Sequence, residues 1–305
     1  MIEPIDFYCK IYERLQYHEG EKTFLMRPLR RIIRQIATWH ISHCRSFRTF
    51  DISRPQSDVI VSFTSFPERI RYVHLVVLSM LHQTILPKKI ILWLSKEQFN
   101  EISLPLNLKS LLNDVFEIRM VDGDIRSYKK SYYVLKEYPQ EQVFLIDDDL
   151  LYPTNTIELM LKAKSEHLYS VICRYGSVMR FESGEPMPYN SWWKEETEAS
   201  NDKNFFFGTG GGTLLSRSLL YDDVDKIELA LSLAPLADDV WMNAMVNLKN
   251  TSKHKVRYGL ILPIFIKTNK SLTSKNVGLN QNDLQIRSVR EYYLKNLKKD
   301  PFHKF

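Results

Sequence analysis

Cysteine is scarce in this chain: Cys9, Cys44 and Cys173 are the only three in 305 residues. They are odd in number, far apart and never in a CxxC pair, which argues against a disulfide framework and a zinc site and for a reducing compartment. Long apolar runs are missing too. No stretch of ~18 apolar residues could cross a bilayer, and the N-terminus has no apolar h-region of a signal peptide. A cytoplasmic protein is the expectation. Internal repeats and low-complexity tracts are absent. Glycine is sparse, ten in all, and four of the ten fall in one nonapeptide.

What remains is ordinary for a globular chain, 44% hydrophobic and 26% charged, so a sizeable core is expected and wholesale disorder is not. The formal net charge is +6 and the pI near 9.0. Such a balance suits an acidic partner: nucleic acid, anionic lipid or a phosphorylated small molecule.

The most informative stretch is Gln142–Pro153, QVFLIDDDLLYP. An apolar strand, Val143–Ile146, runs straight into Asp147, Asp148 and Asp149. Unpaired charge is very costly to desolvate, so three adjacent carboxylates at a buried strand end need positive charge beside them. Asp147 and Asp149 share one face of an extended segment and can address one oxygen-loving divalent cation. The alternative is an acidic turn capping the next helix.

Other strands read at Asp58–Phe63, Lys89–Leu94 and Glu117–Val121, separated by helical patterns at Arg71–Thr84 and Arg126–Tyr138. Near-continuous apolar strands alternating with helices indicate a parallel sheet covered on both faces. Ligands bind beyond the carboxyl ends of such strands, which here are Thr64–Pro67, Asp122–Asp124 and Asp147–Asp149. Further on, Thr154–His167 reads as a helix, Ser170–Cys173 as a strand and 176–204 as a polar, irregular loop. Phe205–Thr213 is FFFGTGGGT, and Leu214–Tyr221 has a helix-like pattern. Ala237–Asn247 is a helix opened by Asp238 and Asp239, as the helix dipole favours. Val256–Lys267 is apolar and strand-like, broken near Pro263, and Asn282–Lys299 is a basic helix. The N-terminal 1–55 forms a helical preface. Within it Leu29, Ile32, Ile33, Ile36 and Ile41 follow a helical spacing, with Arg27, Arg30, Arg31, Arg34, Arg45 and Arg48 on the polar side. That pattern fits either an anionic membrane surface or packing on the chain's own body with solvated arginines.

Taken together, VSFTSFPERI, LSMLHQTILPKKIILWLS, DIRSYKK, FLIDDDLLYP, the glycine run and ADDVW occur in the order seen in bacterial nucleotide-sugar glycosyltransferases of the GT-A fold. The chain resembles family 2 of these over residues 58–250. The resemblance implies a Rossmann-like, mostly parallel sheet in a catalytic domain at 56–268, with a nucleotide half at 56–153, an acceptor half at 154–268, and helical extensions at 1–55 and 269–305. It implies a UDP-sugar donor, a surface glycan or glycolipid acceptor, and Mn2+ or Mg2+ held by Asp147 and Asp149. Thr64, Ser65, Pro67 and Arg69 would line base and ribose, with Asp122 or Asp124 near them. Lys129 and Lys130 would face the nucleotide, unless they form an exposed helix face. Asp148 would touch sugar or ribose, and Gly210, Gly211 and Gly212 would wall donor from acceptor. An inverting transfer needs a carboxylate base, and the acidic pair supplies Asp239, with Asp238 as substrate contact or alternate base.

Lesser candidates are His254 and His303 as a further metal ligand, and Tyr189, Trp192 and Trp193 either as stacking surfaces for an acceptor sugar or as interface or core packing. The GTGGGT run fails as a dinucleotide fingerprint. A nucleotidyltransferase is the competing enzyme class, but it needs a Gly-rich loop after the first strand, where this chain has TSFPER. A non-catalytic glycan- or nucleic-acid-binding protein is the third reading. No nucleic-acid motif accompanies the arginines, so no nucleic-acid partner is expected.

Overall fold

In a computed structural model, residues 3–16, 26–44, 47, 49–100, 102–192, 204–256, 261–266 and 281–304 are described. Two helices lead, α1 (Pro4–Gln16) and α2 (Arg27–His43). Strand β1 (Val59–Thr64) follows, then α3 (Val73–Leu81), β2 (Lys89–Ser95) and β3 (Phe116–Val121). Helix α4 (Lys129–Glu137) returns the chain to β4 (Gln142–Ile146) and a short β5 (Leu150–Leu151). After α5 (Thr156–Glu166) come β6 (Ser170–Cys173), β7 (Gly176–Val178), β8 (Phe181–Glu182) and β9 (Glu185–Pro186). The chain continues through β10 (Phe205–Phe207), β11 (Gly211–Leu215), α6 (Ile227–Leu233) and α7 (Asp238–Leu248). It closes with β12 (Ser252–Lys255), β13 (Leu262–Pro263) and α8 (Gln281–Leu297).

Seven strands form the central sheet in the order β12-β6-β11-β4-β1-β2-β3. All neighbours pair in parallel except around β11, which is antiparallel to both β4 and β6. The expected Rossmann-like, mostly parallel sheet flanked by helices is therefore what this chain adopts. From β1 the chain builds outward to β2 and β3, then returns to place β4 on the other side of β1. That reversal makes a crevice at the carboxyl ends of β1 and β4, where ligands bind in open α/β sheets.

The strands are apolar because both faces are covered. In β1, Val59, Val61 and Phe63 point into one core with α3, α5 and parts of α1 and α2. Ile60 points into the other, with α4, α6, α7 and α8. Ser62 is the polar exception. Its hydroxyl donates to the Lys130 carbonyl at 2.5 Å and accepts from the Trp93 indole at 2.9 Å, pinning the first turn of α4 to the sheet.

Three expectations change. The helix-like pattern at Leu214–Tyr221 is instead the end of β11, followed by a single 3-10 turn, Arg217–Leu219. Glycine has low strand propensity, so Gly211 and Gly212 hide a strand that burial between β4 and β6 imposes. The irregular stretch at 176–204 holds, among its described residues, β7, which pairs with β10 just beyond it, and the β8–β9 hairpin. The apolar series on α2 divides: Ile41 is buried, whereas Leu29, Ile32 and Ile36 face solvent. Arg34, expected on the polar side, turns inward to the Pro263 and Ile264 carbonyls at 3.1 and 3.0 Å. Arg45, Arg48, Trp193, 257–260 and Lys267 lie outside the described residues.

Candidate active site

The loop after β1 turns tightly at Pro67, where the Arg69 N–H donates to the Phe66 carbonyl at 3.0 Å. This aims Ser65 and Arg69 across the crevice at the end of β4. The Ser65 hydroxyl donates to Asp148 Oδ2 at 2.6 Å, and Arg69 Nη1 reaches Asp148 Oδ1 at 2.7 Å and Asp149 Oδ2 at 2.9 Å. The middle carboxylate, whose role the sequence left open, is thus the buried anchor of the crevice, its side chain 7% exposed. Burial pushes the Asp148 carboxyl up, opposed by Arg69. Burial and the adjacent Asp148 push Asp149 up as well. Thr64 turns away and donates to the Trp93 carbonyl at 2.8 Å.

Asp147 looks the other way. Lys130 Nζ lies 2.9 Å from its Oδ1 and 3.4 Å from Asp238 Oδ2. Two acidic centres about ninety residues apart in sequence therefore share one buried ammonium. Lys130 and Lys129 are both buried, so the exposed-face reading of these lysines is overturned. Lys129 pairs with Asp124, which also accepts from Gln98 at 2.7 Å. Asp122 sits at the rim, 88% exposed and 2.8 Å from Lys96.

The glycine run closes the site from β11. The Gly210 carbonyl accepts from the Tyr152 hydroxyl at 2.6 Å, and that hydroxyl accepts the Asp147 N–H at 3.1 Å. A Cβ on Gly210 would stand 1.8 Å from Asp147 Cγ, so only glycine leaves room for that carboxylate. Gly211 pairs with Ile146, and Gly212 has a φ of +103°, a backbone that favours glycine. Gly210→Ala is accordingly expected to swing Asp147 off Lys130. Because Asp147 can rotate toward solvent, the stability cost is small, about 1 kcal/mol. If the crevice takes a nucleotide, UDP affinity should fall much further, which a melting curve beside a UDP titration would show. An unchanged UDP affinity would contradict the role of Asp147.

Asp238 and Asp239 open α7, where the helix dipole favours negative charge. Thr209, inside the glycine run, clamps both. Its N–H donates to Asp239 Oδ1 at 2.7 Å, and its hydroxyl lies 2.6 Å from that oxygen and 2.8 Å from Asp238 Oδ2. Asp238 is buried and bound to Lys130, whereas Asp239 is half-buried. Burial and the Asp238 charge push the Asp239 carboxyl up to about 6, against the pull of Lys130 and Thr209.

Among the described residues, no group of three or more His, Cys, Asp or Glu side chains is placed to hold a metal by itself. The donor chemistry nonetheless fits a hard divalent cation. Asp147 and Asp149 are 42% and 31% exposed, and each leaves one oxygen without a hydrogen bond among the described residues. Asp147, Asp148, Asp149, Asp238 and Asp239 outnumber the cations in contact with them among the described residues, Arg69 and Lys130. Mg2+-type sites commonly use one or two carboxylates and complete their shell with phosphate oxygens and water. The histidine candidates do not join. His254 stacks on His167 at the sheet edge with ring centroids 3.8 Å apart, and His303 lies 2.6 Å from the Asp300 carbonyl.

No family model and no curated protein sequence matches this chain. Among solved structures it is similar to S. aureus TarS at 15% identity and a TM-score of 0.46, over 81% of this chain and 41% of that one. It is similar to S. aureus TarS 1–349 in complex with UDP-GlcNAc at 11% identity and a TM-score of 0.45, over 80% and 73%. It is also similar to 4-diphosphocytidyl-2C-methyl-D-erythritol synthase from Anaerococcus prevotii at 16% identity and a TM-score of 0.43, over 74% and 98%. The chain thus spans less than half of the longer TarS structure. At such identities and scores these likenesses carry no functional weight.

Residues the sequence did not flag complete the site. Thr209 was hidden among glycines, and Tyr152 and Ser62 read as turn and strand residues. Tyr175 lies against Gly208 and Gly211 and is 44% exposed, an aromatic face beside the crevice. Of the two readings of Trp192, stacking surface or core packing, burial favours the second, its indole donating to the Met187 carbonyl at 2.8 Å. Tyr189 packs edge-on against Phe206.

Proposed function

We propose that this protein is a glycosyltransferase of the GT-A type, similar to family 2, which moves a sugar from a UDP-sugar to a hydroxyl of a bacterial glycan or glycolipid with inversion. The observation that carries the proposal is Lys130, whose ammonium touches both Asp147 of the D-x-D and Asp238 of the acidic pair. A group that binds diphosphate and a group that takes a proton thereby face one crevice.

In this reading Asp147 and Asp149 hold Mn2+ or Mg2+, which when bound neutralises charge on the departing diphosphate. The chain's own residues do the rest. Asp239 Oδ1 is fixed by Thr209, leaving Oδ2 to accept the proton of the acceptor hydroxyl. As that oxygen bonds to the anomeric carbon, the carbon–oxygen bond to the diphosphate breaks and its electron pair leaves with UDP. Lys130 keeps the two acidic centres in register, and the buried Ser65–Arg69–Asp148 group keeps the loop after β1 in place beside the nucleotide. Tyr175 offers a face on which a sugar ring can stack.

The test is calorimetry with UDP and Mn2+, repeated with EDTA, followed by a panel of UDP-sugars assayed for released UDP. Metal-dependent UDP binding and turnover of one donor are expected. Release of pyrophosphate from a nucleoside triphosphate would instead indicate a nucleotidyltransferase, and no nucleotide binding at all would refute both.

A further inference from the structure

Helix α2 has two faces. One packs inward through Ala37, Thr38 and Ile41. The other carries Leu29, Ile32, Ile36 and Trp39, which recur every three or four residues as one stripe. All four are exposed, by 45%, 46%, 46% and 66%. Contiguous exposed apolar surface of this kind marks an interaction site. Helix α1 lies alongside, joined by the Tyr8–His40 hydrogen bond of 2.9 Å. Its own exposed row is Phe7, Lys10 and Arg14, one apolar side chain and two cations.

We infer that the α1–α2 face docks on an anionic phospholipid surface. The charges select this occupant. Residues 27–43 contain four arginines and no Asp or Glu, and Arg27 and Arg31 are exposed at the N-terminal end of the stripe. Their long stems let cationic heads reach the lipid headgroups beside a buried apolar strip. Trp39, stacked on His43 at 5.1 Å, is the side chain type that settles at the membrane–water boundary. The helix is also mechanically tied to the crevice. Arg34 donates to the Ile264 carbonyl at 3.0 Å, and the Ile264 N–H donates to the Asp149 carbonyl at 2.8 Å. Among the described residues, no helix is long and apolar enough to cross a membrane, so the contact is peripheral. It stands or falls independently of the reaction proposed above, because its readout needs no turnover.

The full chain is sedimented with vesicles of phosphatidylglycerol and phosphatidylcholine, and with phosphatidylcholine alone. Binding to the anionic vesicles is expected, reduced by high salt and weak on the neutral ones. The double variant Ile36→Glu/Trp39→Glu should lower partitioning by about tenfold or more with an unchanged melting transition. Lys10→Gln/Arg31→Gln should lower binding to anionic vesicles while leaving the stripe intact. Wild-type protein that stays in the supernatant overturns the inference, as does undiminished binding by the Glu variant. So does a dimer that the Glu variant splits into monomers, which would assign the stripe to a second copy. Loss of folding in the Glu variant would also overturn it, since a stripe needed for folding is not a free face.

Discussion

Asp239→Asn is expected to lower sugar transfer about a thousandfold, the middle of the range for removing a general base, while the fold and UDP binding persist. The amide keeps the size of the carboxylate and still accepts from Thr209 through its oxygen, so the start of α7 is undisturbed. It cannot take the acceptor's proton. The wild-type pH profile supplies a second readout. A base must be deprotonated to act, and Asp239 titrates near 6 because burial and Asp238 disfavour its charged form. The value of kcat/KM should therefore climb as pH rises through about 6 and level off above it, and this limb should vanish in Asp239→Asn. Thr209→Val should move the limb to higher pH, since the hydroxyl of Thr209 favours the charged form. Near-wild-type turnover by Asp239→Asn, or a limb that ignores Thr209, would move the base elsewhere.

Arg69→Ala should be the most destabilising single change at the crevice. It strands Asp148, buried and left among the described residues with Ser65 as its hydrogen-bond partner, and also removes an ion-pair partner of Asp149. Breaking a buried ion pair by deleting one member typically costs about 3–5 kcal/mol. The pH dependence has a definite sign. Without Arg69 the folded Asp148 carboxyl rises further above its unfolded value, so the fold prefers the protonated form. A carboxyl raised in the folded state loses stability as pH climbs from its unfolded pKa toward its folded one. The deficit of the variant should thus be small in acid and largest near neutral pH. Arg69→Lys keeps the charge but not the two-carboxylate reach of the guanidinium, and should recover part of the loss. Chemical denaturation of the three proteins across pH decides it. A deficit that stays constant with pH would mean that Asp148 is not the group being stranded.

The elements that were legible in the sequence are those whose signal is local. The apolar runs of β1, β2 and β4 announced themselves because a strand covered on both faces must be apolar along its length. The D-x-D stood out because charge at a buried strand end demands an explanation. The acidic pair of α7 was visible as a helix start. Strand β11 was not, because its glycines carry no propensity, and its position between β4 and β6 comes from burial alone. Nor could the sequence say which way Lys129 and Lys130 point, since a helix face reads the same whether a sheet or water lies beside it. The same ambiguity left Leu29, Ile32 and Ile36 open between a core-facing and a surface-facing stripe, and inward packing at Ala37 and Ile41 turns them outward. By itself, then, the sequence determined which residue types gather at strand ends and helix starts, through periodicity and the cost of burying charge. Only the tertiary structure decided which of them meet. The contacts from Ser65 and Arg69 to Asp148 join segments about eighty residues apart, and Lys130 spans 17 residues to Asp147 but more than a hundred to Asp238; strand order rather than local pattern brings such partners together.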